Sequence, residues 1–107
     1  MHVSKIYHKL DKIMERRESY LHKNLSSKQK VVFKKFSYVF NHALNCLKDE
    51  YKQIIYKTYL GDYFKFWWID YYCKSSYYRK RIVAVTAFVK IFEIIYENID
   101  LDSVISC

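Results

Sequence analysis

Residues 74–81 read KSSYYRKR and combine two serines, two tyrosines and four cations. Serine hydroxyls and the first backbone N–H groups of a helix can contact a phosphate, and so can a lysine ammonium. An arginine guanidinium can donate two parallel hydrogen bonds to a guanine. No acidic residue occurs between Asp70 and Glu93, so no neighbour in the sequence neutralises these cations. The segment therefore offers the chemistry of nucleic-acid recognition.

Each residue of this segment has a role under that interpretation. Ser75 or Ser76 caps a helix, and Lys80 reaches a phosphate. Arg79 and Arg81 supply the contacts to guanine. The predicted DNA-binding residues are Lys74, Ser75, Ser76, Tyr77, Arg79, Lys80 and Arg81.

A helical projection separates the aromatic residues around this segment. Tyr78 lies in register with Ile82 and Val85, so we expect it to face the core. Tyr77 lies one position away, at the edge of that stripe, and we expect it to be exposed beside the cations. Three further aromatic residues are expected to pack the two neighbouring helices together: Trp67, Trp68 and Tyr71.

Helices are the elements that must position these groups. The chain has one glycine and no proline among its 107 residues, so hairpin turns lack their usual residues. We predict an all-α fold, a single helical domain of about five helices with a C-terminal helix-turn-helix. The predicted helices cover residues 4–24, 25–48, 49–61, 62–72 and 76–99. The N-terminal helices, the helix-turn-helix-like half and a tail are assigned to residues 1–48, 49–99 and 100–107.

Several predicted helix ends carry recognisable signals. Ser26 and Gln29 have the spacing of a capping box. Asp49 can cap the third helix, and Gly61 can end it in a left-handed conformation. The break near Lys48 contains neither glycine nor proline, so the second and third helices could also form one bent helix.

The order of elements in residues 49–92 is a helix, Gly61, a short helix, a tight turn and a longer helix. Helix-turn-helix units have this order, and their second helix places its first turn in the major groove of DNA.

The segment WWIDYYCKSSYYRKRIVAVTAF resembles the C-terminal half of helix-turn-helix proteins related to the sigma factor C-terminal domain, including phage late-gene regulators. It also resembles small helical proteins of mycoplasmas. The resemblance implies a recognition helix that binds duplex DNA and regulates transcription. The residues that carry it are Ser75, Ser76, Tyr77, Tyr78 and Arg79.

The charge of the chain favours a polyanionic partner. Lys and Arg number 19 against 11 Asp and Glu, for a net charge of +8. All 19 cations lie in residues 1–92, whereas residues 93–107 contain four acids and no cation. We therefore predict a non-enzymatic protein that binds duplex DNA, with RNA polymerase or a second copy of the chain as further partners.

The rival hypothesis is a helical protein–protein interaction module, or a homodimeric scaffold, that binds no nucleic acid. An exposed patch of Tyr63, Tyr72 and Tyr77 with scattered cations would indicate a protein partner. One continuous cationic stripe around the helix at 76–97 would indicate nucleic acid. RNA binding shares the charge argument, but the sequence predicts no β-sheet to carry the aromatic platform of common RNA-binding modules.

Cysteine spacing and hydropathy point to a reduced, cytoplasmic protein. The three cysteines are widely spaced without a CxxC motif, and no histidine pair has zinc-binding spacing, so we expect no disulfide and no metal site. The most apolar run, residues 82–96, contains Lys90 and Glu93 and is too short to span a membrane. No secretion signal follows Met1.

An enzyme requires acid, base or nucleophile groups that converge. His42 and Cys46 are four residues apart on one helix face, but no third group accompanies them. Asp49 and Glu50 resemble helix-capping residues, and a single glycine cannot form a phosphate-binding glycine loop. We expect no catalytic residue, no cofactor and no small-molecule substrate.

Overall fold

The computed structural model describes residues 3–22 and 24–99. This part of the chain is all-helical, which confirms the predicted fold class. A π-helical turn, Tyr56–Leu60, follows the third α-helix, and a 3₁₀ turn, Trp67–Asp70, precedes the fourth. The predicted tail at 100–107 lies outside the described residues. The four α-helices within them are α1 (Val3–Leu21), α2 (Ser27–Asn45), α3 (Asp49–Ile55) and α4 (Lys74–Asn98).

α4 is the central helix, because α1, α2 and α3 all pack against it. Its buried residues include two adjacent pairs, Ala84 with Val85 and Phe88 with Val89. Adjacent buried positions on successive turns widen the buried face beyond the single stripe of a surface helix. The helices around α4 therefore determine which of its many apolar residues are buried.

α1 and α2 each contribute one apolar stripe to this core. On α1 the apolar residues Ile6, Leu10 and Ile13, at helical spacing, are buried. On α2 the apolar stripe is buried from Phe36 onwards. Val32, one turn earlier on the same face, is exposed because it lies near the start of α2, where the core ends.

Phenylalanine rings join α2 to the middle of α4. The Phe36 and Phe92 ring centroids are 5.6 Å apart, and the Phe40 and Phe88 centroids are 5.2 Å apart. Both pairs meet edge to face, which is a favoured geometry for aromatic rings. These four phenylalanines are all buried, and we call them the bundle cluster.

The capping box at the start of α2 is confirmed. The Ser26 backbone N–H donates to Gln29 Oε1 at 2.9 Å, and the Gln29 backbone N–H donates to Ser26 Oγ at 3.2 Å. The helical conformation is interrupted between Asn45, where α2 ends, and Asp49, where α3 begins, so the alternative of one bent helix is wrong. Lys48, not Asp49, is the N-cap residue of α3. Asp49 instead lies beside Glu50 in the first turn, where the positive end of the helix dipole stabilises carboxylates.

Gly61 follows the π-helical turn, but its predicted left-handed conformation is wrong. Its φ of −98° and ψ of 165° are those of an extended residue. Its N–H donates to the Tyr56 carbonyl oxygen at 2.8 Å, which closes the wide π-helical turn. A Cβ at position 61 would collide with the Tyr63 ring, so this close approach, and not a positive φ, favours glycine here.

The predicted fourth helix at 62–72 is wrong, and the predicted count of about five helices is not confirmed. Residues 62–66 follow an irregular path before the short 3₁₀ turn. A helix of this length has little stability of its own, so tertiary contacts decide its conformation. Phe64 and Trp68 would share one face of a helix, yet Phe64 is exposed and Trp68 is buried. The irregular path is what allows these two side chains to point to different environments.

Candidate nucleic-acid interface

The predicted site lies at the N-terminal end of α4. This helix begins at Lys74, earlier than predicted, and Cys73 occupies the N-cap position. The predicted caps Ser75 and Ser76 are wrong, since both serines lie inside the first turn. The element before α4 is a 3₁₀ turn and not an α-helix, so the structure does not confirm the helix-turn-helix.

Tyr77 is buried, with 2% of its surface exposed, so its predicted exposure beside the cations is wrong. Its ring stacks on Trp68 with a centroid distance of 4.6 Å and an interplanar angle of 6°. Its hydroxyl and Thr58 Oγ1 share a hydrogen bond of 2.8 Å, and Trp67 Nε1 donates to the same Thr58 oxygen at 3.3 Å. Tyr77 thus ties the π-helical turn, the 3₁₀ turn and α4 together.

A second prediction for this helix is also wrong. Tyr78 was expected in the core but is 38% exposed. The buried face of α4 includes Ala84 and Phe88, in line with Tyr77, and Val85 and Val89, in line with Tyr78, so helical phase alone does not separate the two tyrosines. The tertiary neighbour decides, because Trp68 stacks on Tyr77 and only tilts against Tyr78 at 6.0 Å.

The other aromatic predictions in this region have mixed outcomes. Trp68 is buried as predicted, and Trp67 is half-buried. Tyr71 is 69% exposed, so its predicted packing role is wrong. It follows the 3₁₀ turn, and its ring centroid lies 6.4 Å from that of the half-buried Trp67.

Lys80 is paired inside the molecule. Its Nζ lies 2.6 Å from Glu50 Oε1, and Tyr72 Oη donates to the same carboxylate oxygen at 3.2 Å. The hydrogen bond from Lys80 lowers the pKa of the Glu50 carboxyl. Lys80 can reach a phosphate only if it leaves this carboxylate.

Arg81 is also engaged. Its Nε donates to Tyr7 Oη at 3.1 Å, and its Cζ lies over the Tyr7 and Tyr78 rings at 5.0 and 5.2 Å. The side chain is half-buried between α1 and α4. Its predicted role as a reader of guanine therefore has no support in the geometry.

The remaining predicted residues lie on the surface at the start of α4. Ser75 and Arg79 are four residues apart, so they share one outward face, and Ser76 flanks it. Lys74 is exposed but lies about 140° around the helix from Arg79. Neither Lys74 nor Arg79 pairs with any carboxylate that the structure describes. The structure thus brings together only part of the predicted set.

Cys73 is a chemically distinctive residue that the sequence interpretation missed. Its exposed thiol lies at the N-terminus of α4, with Sγ 3.6 Å from Ser75 Oγ. Hydrogen bonds from the Ser76 side chain and backbone, and from the Ser75 side chain, lower the pKa of the Cys73 thiol to about 7. The signal in the sequence is the Cys-x-Ser-Ser order at a helix start.

A cavity of about 380 Å³ beside α4 is the second feature that was missed. Aromatic rings from the loop at 61–68 and from α4 form its walls, and Lys57, Lys65 and Arg81 line it. No carboxylate among the described residues does so. The prediction of a helix at 62–72 concealed this cavity, because it assigned the aromatic residues to packing.

No family model matches this chain, and no curated protein or solved structure matches it either. The resemblance to helix-turn-helix regulators therefore stays a prediction. None of the described helices has both the length and the apolar character needed to cross a membrane. Among the described residues, no three His, Cys, Asp or Glu side chains form a group that could hold a metal ion.

Proposed function

We propose that this protein binds duplex DNA without catalysing a reaction, and that the outward face of α4 makes the contact. The observation that carries the proposal is that this face carries no carboxylate of α4 from Ser75 to Lys90, and that Ser75, Arg79 and Lys90 are exposed on it. Residues 71–92 contain no acid at all. Such a face can lie along a phosphate backbone. Transcription regulation is the setting that the resemblance of residues 49–92 implies.

The charge pattern of α4 limits the contact to its N-terminal turns. Glu93 and Glu97 lie at the other end of the same face, where they would repel a phosphate backbone. Arg79 would make most of the base contacts, because the guanidinium of Arg81 already donates to Tyr7. Phosphate contacts from Lys74 and from the basic face of α2 would supply most of the affinity.

The salt dependence of binding tests this proposal. If about four to six phosphates are engaged, a plot of log affinity against log salt should have a slope of roughly −4 to −5. Fluorescence anisotropy of a labelled duplex measures it. Arg79→Gln should weaken duplex binding by about 1–3 kcal/mol and relax base selectivity, because its base contact is lost. A flat salt dependence would contradict the proposal.

Lys12→Gln is the matched control for Arg79→Gln. It removes one positive charge from α1, at an ammonium that already lies 3.7 Å from Glu15 Oε2. This control should change duplex affinity less than Arg79→Gln does. Equal losses in the two variants would show that only the net charge matters and would remove α4 from the interface.

A gain of affinity provides a second, independent test. Glu50→Gln releases Lys80 from its carboxylate, so it should strengthen duplex binding and steepen the slope by about 1. Glu15→Gln makes the same change of net charge but releases Lys12 on α1. If Glu15→Gln strengthens binding as much as Glu50→Gln, the start of α4 is not the contact surface.

The exposed aromatic residues favour a second candidate function, a protein-docking module. Phe64 is 72% exposed, and Ile69 and Tyr71 are exposed nearby. The distribution of tyrosines is mixed, since Tyr63 is exposed whereas Tyr72 and Tyr77 are not. Exposed apolar side chains that cluster often mark a protein interface. Sedimentation equilibrium would reveal self-association, and Phe64→Ser should abolish it if this candidate is correct.

A further inference from the structure

The cavity beside α4 has the size and shape of a ligand site. Its volume of about 380 Å³ lies within the range of roughly 300–1,000 Å³ that small-molecule sites occupy. One wall is the loop with Tyr63, Phe64 and Phe66, and the opposite wall is α4 with Tyr78 and Arg81. A flat group can therefore enter between a loop and a helix.

Two phenylalanines of the loop, Phe64 and Phe66, have ring surface that is exposed to solvent. Phe64 meets Phe66 edge to face at 5.7 Å and 71°, and Phe66 meets Trp68 at 6.3 Å and 72°. In each pair the edge of one ring covers part of a face of the other, and the rest of the Phe64 ring is open because this side chain is 72% exposed. Phe64 and Phe66 are both exposed, unlike the phenylalanines of the bundle cluster. An aromatic base could stack on such a face.

The cations of the cavity lack anionic partners. Lys57 Nζ lies over the Trp67 and Tyr71 rings at 5.3 and 5.5 Å, and Lys65 Nζ lies 5.6 Å from the Phe66 centroid. Neither lysine, nor Arg81, forms an ion pair with a carboxylate of the described residues. Three positive charges thus border the aromatic walls without compensation.

We infer that this cavity binds an unpaired nucleotide of single-stranded DNA. The base stacks on the exposed ring of Phe64, and the phosphate is held by Lys57, Lys65 and Arg81. An apolar peptide would leave the three cations uncompensated, and a free phosphate would leave the rings uncovered. A nucleotide satisfies both groups at once, because it joins a flat aromatic base to an anion.

The choice of DNA over RNA rests on the proposed function, and the one threonine of the cavity does not oppose it. Thr58 carries the only aliphatic hydroxyl of the lining residues, and it is already bonded to the Tyr77 hydroxyl and the Trp67 indole N–H. It is therefore engaged and not free to recognise the ribose 2′-hydroxyl, which distinguishes RNA. Binding here needs no contact with the outward face of α4, so this inference extends the proposed function.

Three labelled oligomers of about 12 nucleotides, a length that single-strand-binding proteins cover, test the inference by fluorescence anisotropy. They are oligothymidylate, an abasic strand with the same backbone and oligouridylate. Oligothymidylate should bind about tenfold or more tightly than the abasic strand, because only it can stack. Equal binding of these two strands overturns the inference. Tighter binding of oligouridylate overturns the choice of DNA.

Two variants connect the result to the cavity. Phe64→Leu removes the ring but keeps an apolar side chain, so it should lower oligothymidylate affinity about tenfold and leave the abasic strand unaffected. Tyr38→Leu is the matched control, because Tyr38 is an exposed aromatic on α2, outside the cavity lining. Lys65→Gln should reduce the salt slope by about 0.7. An unchanged affinity in Phe64→Leu overturns the inference.

Two variants distinguish single-strand binding in the cavity from duplex binding on the outward face of α4. Arg79→Gln should weaken duplex binding and spare oligothymidylate, whereas Phe64→Leu should do the reverse. Circular dichroism melting of both variants checks that each remains folded. If Phe64→Leu changes only self-association, measured by sedimentation, the cavity is a protein-docking site and the inference fails.

Discussion

Two groups of aromatic residues lie along α4, and they have different environments. The bundle cluster, Phe36, Phe40, Phe88 and Phe92, is buried between α2 and the middle of α4. The loop aromatics, Tyr63, Phe64, Phe66 and Tyr71, are exposed near its start. Aromatic residues spaced along two long helices meet in one interface, whereas those of a short irregular segment need not share a side. Residue type alone therefore does not distinguish core from binding surface.

The cations beside the two groups differ in the same way. In the bundle, Arg16 Nη2 donates to Tyr96 Oη at 2.9 Å, and its Cζ lies 5.3 Å from the centre of the Phe36 ring. That guanidinium has hydrogen-bond partners inside the protein. Among the described residues Lys57 contacts only aromatic ring faces, so its donors remain for a ligand. The comparison distinguishes a cation that completes the fold from one that is free to bind.

The largest expected effect is on stability and belongs to the bundle cluster. Phe88→Ala removes a fully buried ring that packs against Phe40 and Phe92, and it should destabilise the protein by about 3–5 kcal/mol. Urea unfolding followed by circular dichroism measures the change. A loss below about 1 kcal/mol, the size of an average substitution, would contradict a close-packed cluster.

The next effect concerns the hydrogen bonds that join the π-helical turn and the 3₁₀ turn to α4. Thr58→Val keeps the shape of the side chain but leaves the Tyr77 hydroxyl and the Trp67 indole N–H without this partner. The expected cost is about 1–3 kcal/mol, measured by the same unfolding experiment. Thr86→Val is the control, because the Thr86 hydroxyl has no hydrogen-bond partner among the described residues. Equal costs in both variants would mean that the shared oxygen contributes nothing.

The bundle could be predicted from the sequence because its signals are local and agree with one another. The spacing of Ile6, Leu10 and Ile13 repeats over several turns of one helix. The Ser26–Gln29 capping box involves residues only three positions apart. Such patterns depend on helix geometry alone, so the chain reveals them without knowledge of its partners.

The candidate site could be predicted only in part because its arrangement depends on tertiary contacts. Apolar residues surround much of α4, so neighbouring helices, and not its own pattern, placed Tyr77 inside and Tyr78 outside. The sequence shows which residues are cations, but it does not show which of them are paired. Lys80 of α4 pairs with Glu50 of α3. No pattern within residues 74–81 could reveal that partner.

The smallest expected effect on stability belongs to the loop aromatics. Phe64→Ala should change the free energy of unfolding by no more than about 0.5 kcal/mol, because the ring is mostly in water. The contrast with Phe88→Ala is the direct measure of the difference between the two groups. A cost near that of Phe88→Ala would place Phe64 in the core and remove it from any binding surface.

The last difference is between the two cysteines Cys46 and Cys73, and it concerns the reactivity of their thiols and not the stability of the protein. Cys46 follows the C-terminus of α2, whereas Cys73 precedes the N-terminus of α4. A thiolate at a helix N-terminus is stabilised by the dipole and here also by the two serines that follow. With its pKa lowered to about 7, Cys73 should form half of its thiolate near that pH and gain reactivity as the pH rises through it.

Iodoacetamide alkylation, followed by mass spectrometry across a pH series, measures this midpoint in a chain that carries Cys46→Ser and Cys107→Ser. Ser76→Ala removes the hydroxyl that contributes most to the lowered pKa, so its midpoint should shift to higher pH. Ser27→Ala, at the start of α2, should leave the midpoint unchanged because Ser27 lies in another helix. If Ser76→Ala leaves the midpoint in place, hydrogen bonding by the serine is not its cause. The helix N-terminus alone would then account for the reactivity, as expected from the dipole acting on a thiolate within the first turn.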